Sequence, residues 1–115
     1  MKHGAYFKRR TLAAVSCYKQ ILDDECKIGQ PAEKLSPQLG LSRNTLQQAF
    51  RKLYGETIRE YKLRIRMERS RELLEAGKDL KVITQELGYT EIRAFTTAFK
   101  KHYGYTPSDM TKSLE

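Results

Sequence analysis

The 115-residue chain has no apolar run near the roughly 20 residues a helix needs to cross a bilayer. Its basic stretch Lys8-Arg9-Arg10 is followed only by the weak apolar segment Leu12 to Val15, which argues against a secretory signal. Cysteine is nearly absent. Cys17 and Cys26 have no metal-ligand company nearby and, on a helical pattern, read as core fillers. A reduced, cytoplasmic chain fits them best. The two histidines, His3 and His102, lack a second nucleophile or ligand, and His102 is expected to pack or to cap a helix end. Neither a phosphate-binding glycine loop nor a catalytic motif occurs, so enzyme chemistry is disfavoured and no metal or cofactor is expected. Nothing has the pattern of a strand, which leaves an all-α fold.

What the chain has in excess is positive charge and self-similarity. Twenty-two Lys and Arg against 14 Asp and Glu give a net charge of +8, which favours a polyanionic partner, nucleic acid before membrane. A hydrophobic fraction of 39% supports a thin core in one small domain, or in two very small ones sharing a linker. One pattern is then written twice. Leu35 to Leu46, followed by Ala49-Phe50-Arg51-Lys52-Leu53-Tyr54-Gly55, is matched by Ile83 to Glu91, Phe95 and Ala98-Phe99-Lys100-Lys101-His102-Tyr103-Gly104. Each copy reads as a short amphipathic helix, a glycine turn, a hydroxyl cap and a second helix that stops at glycine. That is the outline of a helix-turn-helix.

Periodicity and capping signals place the elements. A first helix is expected over Arg10–Cys26, with Leu12, Val15, Tyr18, Leu22 and Cys26 facing inward. Asp23-Asp24-Glu25 oppose the helix dipole at its end. A second helix over Pro31–Leu39 stops at Gly40, and Ser42 caps a third over Arg43–Tyr54. Thr57 and Glu60 form a capping box for a long helix through Tyr61, Ile65, Leu73 and Leu74 to Ala76. The second copy follows as Leu80–Leu87, a Gly88 turn, a Thr90 cap and a helix over Glu91–Tyr103. Thr106-Pro107-Ser108-Asp109 opens a short last helix. The expected organisation is an N-terminal arm and first helix (1–30), a first helix-turn-helix (31–56), a linker helix (57–77), a second helix-turn-helix (78–110) and a tail (111–115).

Each second helix has two faces. On the first, Leu46, Ala49, Phe50 and Leu53 point inward, and Asn44, Gln47, Gln48 and Arg51 fall together on the opposite side. Amides there suit base edges, because Asn and Gln can bond adenine in a paired fashion. On the second, Phe95, Ala98, Phe99 and His102 point inward, while Ile92, Arg93, Thr96, Thr97 and Lys100 point out. Arginine can pair with guanine, and the Ile and Thr methyls can meet the thymine methyl. Glu91 can serve the helix dipole or accept from a cytosine amino group. The long helix alternates Arg59, Lys62, Arg64, Arg66, Arg69 and Arg71 with Glu60, Glu68, Glu72 and Glu75. Part of this is intrahelical pairing, for example Glu68 with Arg71.

Residues 31–110 resemble the DNA-binding domain of the AraC/XylS transcription regulators. The resemblance rests on Leu87-Gly88-Tyr89, Phe95, Phe99-Lys100-Lys101 and Gly104-Tyr105-Thr106-Pro107-Ser108. Gly40-Leu41-Ser42, Leu46, Phe50-Arg51-Lys52, Gly55, Tyr61, Arg66-Met67 and Leu73-Leu74 agree as well. It implies about seven helices, two helix-turn-helix subdomains joined by a long linker helix, and a bacterial regulator. Both recognition helices would enter successive major grooves, about 34 Å apart. The family's base-reading positions fall on Asn44, Gln47, Gln48, Ile92, Arg93, Thr96 and Thr97. Arg43, Arg51, Lys52, Lys100 and Lys101 would mostly meet phosphates.

Five positions depart from the family. Ser36 and Thr84 stand where it usually has alanine, and their hydroxyls can bond back to a carbonyl one turn earlier. Lys62 replaces an aliphatic, and Met110-Thr111 an aromatic-arginine ending. Many members carry an effector-binding or dimerisation domain for which this chain has no room, so a stand-alone regulator or an excised domain is expected. Double-stranded DNA is the expected partner. Binding would be monomeric if the chain stands alone and dimeric if a missing domain supplies a dimer. Activation would require RNA polymerase, and no membrane is expected. The second copy has one more residue between its glycine and core residue (Gly88 to Phe95 against Gly40 to Leu46), and a different outward face, so the target is expected to be asymmetric. The alternatives are a protein-interaction module, which would more often expose aromatics or leucines, and a non-specific nucleic-acid binder, which would expose stacking aromatics.

Overall fold

A computed structural model describes residues 8–25 and 32–114, so the readings of His3, Cys26 and Pro31 fall outside the described residues. Among those described, the structure is seven helices with no strand. They are α1 (Arg9–Glu25), α2 (Ala32–Leu39), α3 (Arg43–Tyr54), α4 (Ile58–Glu75), α5 (Leu80–Glu86), α6 (Ile92–Tyr103) and α7 (Pro107–Leu114). The chain divides into two compact units. One holds α1 to α3 and α4 through Leu63, and the other holds the rest of α4 with α5 to α7. The division thus falls inside the linker helix, α1 joins the first helix-turn-helix, and α7 runs on past the boundary expected at residue 110.

In the first unit, α1 buries Val15, Tyr18 and Leu22 at the expected spacing, while Leu12 is half-buried. Cys17 is exposed rather than a core filler. At 100° per residue it shares a face with Ala13, Gln20 and Asp24, all of them exposed. Phe50 is the centre of this core: its ring lies 4.8 Å from Tyr54, 5.4 Å from Tyr61 and 6.3 Å from Tyr18, each edge-to-face. In the second unit Phe99 has the matching place, 4.8 Å from Tyr103 and 5.8 Å from Phe95.

The two turns are built alike. Gly40 and Gly88 take φ of 75° and 86°, a region that costs glycine little. The Leu41 N–H then reaches back to the Ser36 carbonyl at 3.0 Å, and the Tyr89 N–H to that of Thr84 at 3.1 Å. Ser36 and Thr84 are both buried, and the Thr84 hydroxyl donates to the Leu80 carbonyl at 2.7 Å, the back-bond its sequence position suggests.

Two residues expected to face inward do not. Leu53 is 41% exposed and His102 is exposed. Each stands seven positions after the first core residue of its helix (Leu46, Phe95), so each continues the apolar face into the last turn. There the next residue, Tyr54 or Tyr103, packs against the core phenylalanine instead. His102 lies with its ring edge-on to Tyr103 at 4.7 Å.

The capping box of α4 is present in both directions, Thr57 N–H to Glu60 Oε1 at 2.9 Å and Glu60 N–H to Thr57 Oγ1 at 3.1 Å. The Thr57 N–H first, and its hydroxyl second, hold the Glu60 carboxyl below its ordinary range. A second box opens α7, with Thr106 N–H to Asp109 Oδ2 at 3.2 Å and Asp109 N–H to Thr106 Oγ1 at 3.0 Å. Met110 is buried, so the last helix forms despite the altered ending. Along α4 the pairs are Arg64–Glu68 at 3.1 Å, Arg69–Glu72 at 3.3 Å and Arg71–Glu75 at 3.8 Å. Arg71 therefore pairs with Glu75 and not with Glu68. These exposed pairs contribute about 0–1 kcal/mol each.

Candidate nucleic-acid interface

The outward face of α3 is set by its buried one. Leu46, Ala49 and Phe50 are fully buried, which turns Asn44, Gln47, Gln48 and Arg51 to solvent, all four exposed. Ser42 starts the helix in an extended conformation (φ −72°, ψ 156°), and its hydroxyl oxygen accepts from the Thr45 N–H at 3.1 Å. It also donates to the Thr45 hydroxyl at 2.8 Å. The first turn of α3 is thus closed by residues of its own segment. At the other end Gly55 (φ 77°) donates to the Arg51 carbonyl, and Arg51 and Lys52 place positive charge in the last turn, where the dipole favours it.

α6 repeats the face with different chemistry. Phe95 and Phe99 are fully buried, and Ile92 (41% exposed), Arg93 and Thr97 point outward. Thr96 is half-buried, so it presents less of itself than its neighbours. Lys100 and Lys101 are exposed in the last turn, and Gly104 (φ 89°) ends the helix.

Among the described residues, no hydrogen bond or ion pair holds the side chains of Asn44, Gln47, Gln48, Arg51, Lys52, Arg93, Lys100 or Lys101. Arg43 is exposed at the first position of α3, and it has a partner. Nor does the fold need these groups to satisfy its interior, since no buried side-chain nitrogen or oxygen among the described residues lacks a bond. The amides are free to donate and accept in pairs, and Arg51 and Arg93 to present their forks.

The entry to α6 differs from the sequence reading. Thr90 is not the cap. Gly88 is followed by three residues before Ile92, against two between Gly40 and Arg43, so the cap position moves on to Glu91. Glu91 is extended (φ −155°, ψ 159°) and its side chain makes no capping bond. The extra residue of the second copy therefore lies in the turn. The first turn of α6 closes on the Glu91 carbonyl, which accepts from the Ala94 N–H at 3.2 Å and the Phe95 N–H at 3.4 Å. Tyr89 packs its ring against Phe95 at 5.8 Å, and Arg66 of α4 donates from Nε to the Tyr89 hydroxyl at 3.1 Å. The Arg66 guanidinium also lies over the Tyr89 ring, 5.5 Å from its centre. Sequence reasoning had no means to pair Arg66 with a tyrosine 23 positions away.

Comparison with known proteins fits this geometry. The profile of a helix-turn-helix domain family matches residues 35–113. The Msm operon regulatory protein of Streptococcus mutans is 34% identical over 106 residues, covering 91% of this chain and 38% of that protein. The chain thus spans about two fifths of that relative's length. The C-terminal domain of AraT, a response regulator from Geobacillus stearothermophilus, superposes with a TM-score of 0.77 at 23% identity, covering 94% of this chain and 88% of that one. The DNA-binding domain of AdpA, solved in complex with a target DNA, superposes with a TM-score of 0.72 at 22% identity, over 90% and 91% of the two chains. With two helix-turn-helix units of this construction and a family match over more than half its length, the chain belongs to the AraC/XylS-type family of helix-turn-helix transcription regulators, as a DNA-binding domain.

Proposed function

We propose that the chain binds double-stranded DNA sequence-specifically to regulate transcription, laying α3 and α6 into successive major grooves of an asymmetric site. The observation that carries this reading is the pair of exposed, unengaged polar faces at the same place in both units: Asn44, Gln47 and Gln48 on α3, Arg93 and Thr97 on α6. In this reading the amides read adenine, Arg93 reads guanine, and Ile92, Thr96 and Thr97 meet methyl groups. Arg43, Arg51, Lys52, Lys100 and Lys101 fix register on phosphates. AdpA's solved complex with a target DNA supports the reading by likeness of fold. One chain carries two reading helices, so a monomer can engage both half-sites, and activation requires a contact with RNA polymerase. No catalytic step, metal or cofactor enters.

The test is selection of bound sites from a random duplex pool at physiological salt. Enrichment of a bipartite motif with unlike halves about one helical turn apart supports it. Robust binding without enrichment would overturn it in favour of non-specific association, and no binding at all would favour a protein-interaction module.

A further inference from the structure

The two reading helices are launched by different devices. α3 begins at Ser42, whose oxygen accepts the Thr45 N–H. α6 begins at Glu91 with no side-chain cap. The Glu91 carbonyl takes the Ala94 N–H at 3.2 Å and the Phe95 N–H at 3.4 Å, but its carboxylate closes none of the first N–H groups. An uncapped start frays unless something outside the helix holds it. In the second unit the candidates for that hold are few. The turn between α5 and α6 contributes Tyr89, whose N–H is bonded to the Thr84 carbonyl at 3.1 Å and whose ring packs on Phe95. The far end of Tyr89 is gripped by Arg66, through its hydroxyl at 3.1 Å and across its ring face. Leu41, the residue at the same place in the first unit, has no polar group with which to make such a tie.

We propose that Arg66 is a positioning residue for the second recognition helix: by holding Tyr89 it fixes the start of α6, and with it the base preference of Ile92, Arg93 and Thr97. A guanidinium suits the task because one planar group can donate to the phenol oxygen while stacking on the ring. Arg66 sits partly buried beside Tyr89, not on the outward face of α6, so its effect on bases is indirect. The base-preference half of the proposal rests on the DNA-binding reading; the positioning half does not.

The test uses Arg66→Met and Tyr89→Phe in the whole chain, the second keeping the ring and its packing. Amide hydrogen exchange in the free protein is read first. Exchange at the Ala94 and Phe95 amides, which close the start of α6 on the Glu91 carbonyl, should rise about tenfold in Arg66→Met, and less in Tyr89→Phe, with the first turn of α3 unchanged. Equal exchange in wild type and both variants would overturn the positioning role, and a uniform rise over both units would reduce Arg66 to general stability. Site selection is read second. Discrimination at base pairs of the second half-site should fall several-fold with the first half-site unchanged and the salt slope unaltered. An equal loss on all sequences with a salt slope lower by about one would make Arg66 a phosphate contact and overturn the proposal. Should wild type itself show no sequence preference, the DNA-binding reading fails, and the exchange result alone decides whether Arg66 positions α6.

Discussion

The Tyr61 hydroxyl donates to the Asp23 carboxylate, joining the first turns of α4 to the last turns of α1 within the first unit. Asp23 also accepts from Lys19 at 3.2 Å, and Lys19 lies 5.3 Å over the Tyr61 ring. A carboxylate at the end of a helix is unfavourable to the dipole. Here it gains a tertiary partner that offsets this.

Removing that hydroxyl isolates its contribution. Tyr61→Phe keeps the ring against Phe50 and should lower unfolding free energy by about 1.5 kcal/mol, the range of a hydrogen bond to a charged group. Urea unfolding measures it, and an unchanged midpoint would show that water replaces the bond. Burial first, and the bond to Asp23 second, hold the Tyr61 phenol above its ordinary 10.0. Contact with Tyr61 and then Asp23 likewise raises Lys19 above 10.5. A raised value in the folded state means stability that is present below the unfolded value and lost as pH rises through the folded one. The wild-type protein should therefore weaken above about pH 10, and Tyr61→Phe should flatten that loss.

The two capping boxes predict the opposite limb. The Thr57 N–H and hydroxyl hold the Glu60 carboxyl below 4.5, and those of Thr106 hold Asp109 below 3.8. Lowered values mean stability that is present above the unfolded pKa and lost as pH falls through the folded one. Carboxyl-carbon NMR titration should find both groups below their model-peptide values. Thr57→Ala, which removes the hydroxyl and keeps the N–H, should return Glu60 part of the way toward 4.5 while leaving Asp109 alone. A Glu60 titration indifferent to this change, which leaves the Thr57 N–H in place, would dismiss the hydroxyl as a cause and leave the N–H as the one that matters.

The missing cap of α6 can be supplied. Glu91→Ser puts a short hydroxyl where a longer carboxylate makes no capping bond, and should stabilise the second unit by about 1 kcal/mol. Denaturant unfolding reads the gain. Its absence, or a loss, would mean that Glu91 contributes through the dipole what it does not through a bond.

On DNA the two kinds of outward residue should separate. Arg93→Ala should cost about 1–3 kcal/mol and relax preference at one base position. Lys101→Ala should weaken all sequences alike and lower the salt slope by about one. Competition binding across single-base variants of the selected site, at several salt concentrations, distinguishes them; a uniform loss for Arg93→Ala removes its reading role.

What could be read in the sequence was what closes within three or four residues. Ser42 with Thr45, Thr57 with Glu60 and Thr106 with Asp109 are local partnerships, and each is found in the structure. The apolar stripe through Leu46, Phe50, Phe95 and Phe99 is likewise a matter of helical period alone. Period does not tell where the covering partner ends, which is why Leu53 and His102 turn outward although their spacing matches. Thr90 failed as a cap because one inserted residue shifts the start of a helix without altering its pattern. The ties of Tyr61 to Asp23 and Arg66 to Tyr89 join residues 38 and 23 positions apart, and no local rule pairs them. Whether the outward side chains read bases is a matter for DNA, not for the fold.

The unlike starts of α3 and α6 bear on how the protein can be rebuilt. α3 carries its own closure in Ser42 and Thr45, so its outward residues can be exchanged, or the whole segment transplanted, as a self-sufficient cassette. α6 is not portable in that way. A graft of its reading face into another scaffold would have to bring Tyr89 with it and find an arginine at the place of Arg66. If the two faces read DNA as proposed, the first half-site is the one an engineer, or drift, can re-address by local changes alone.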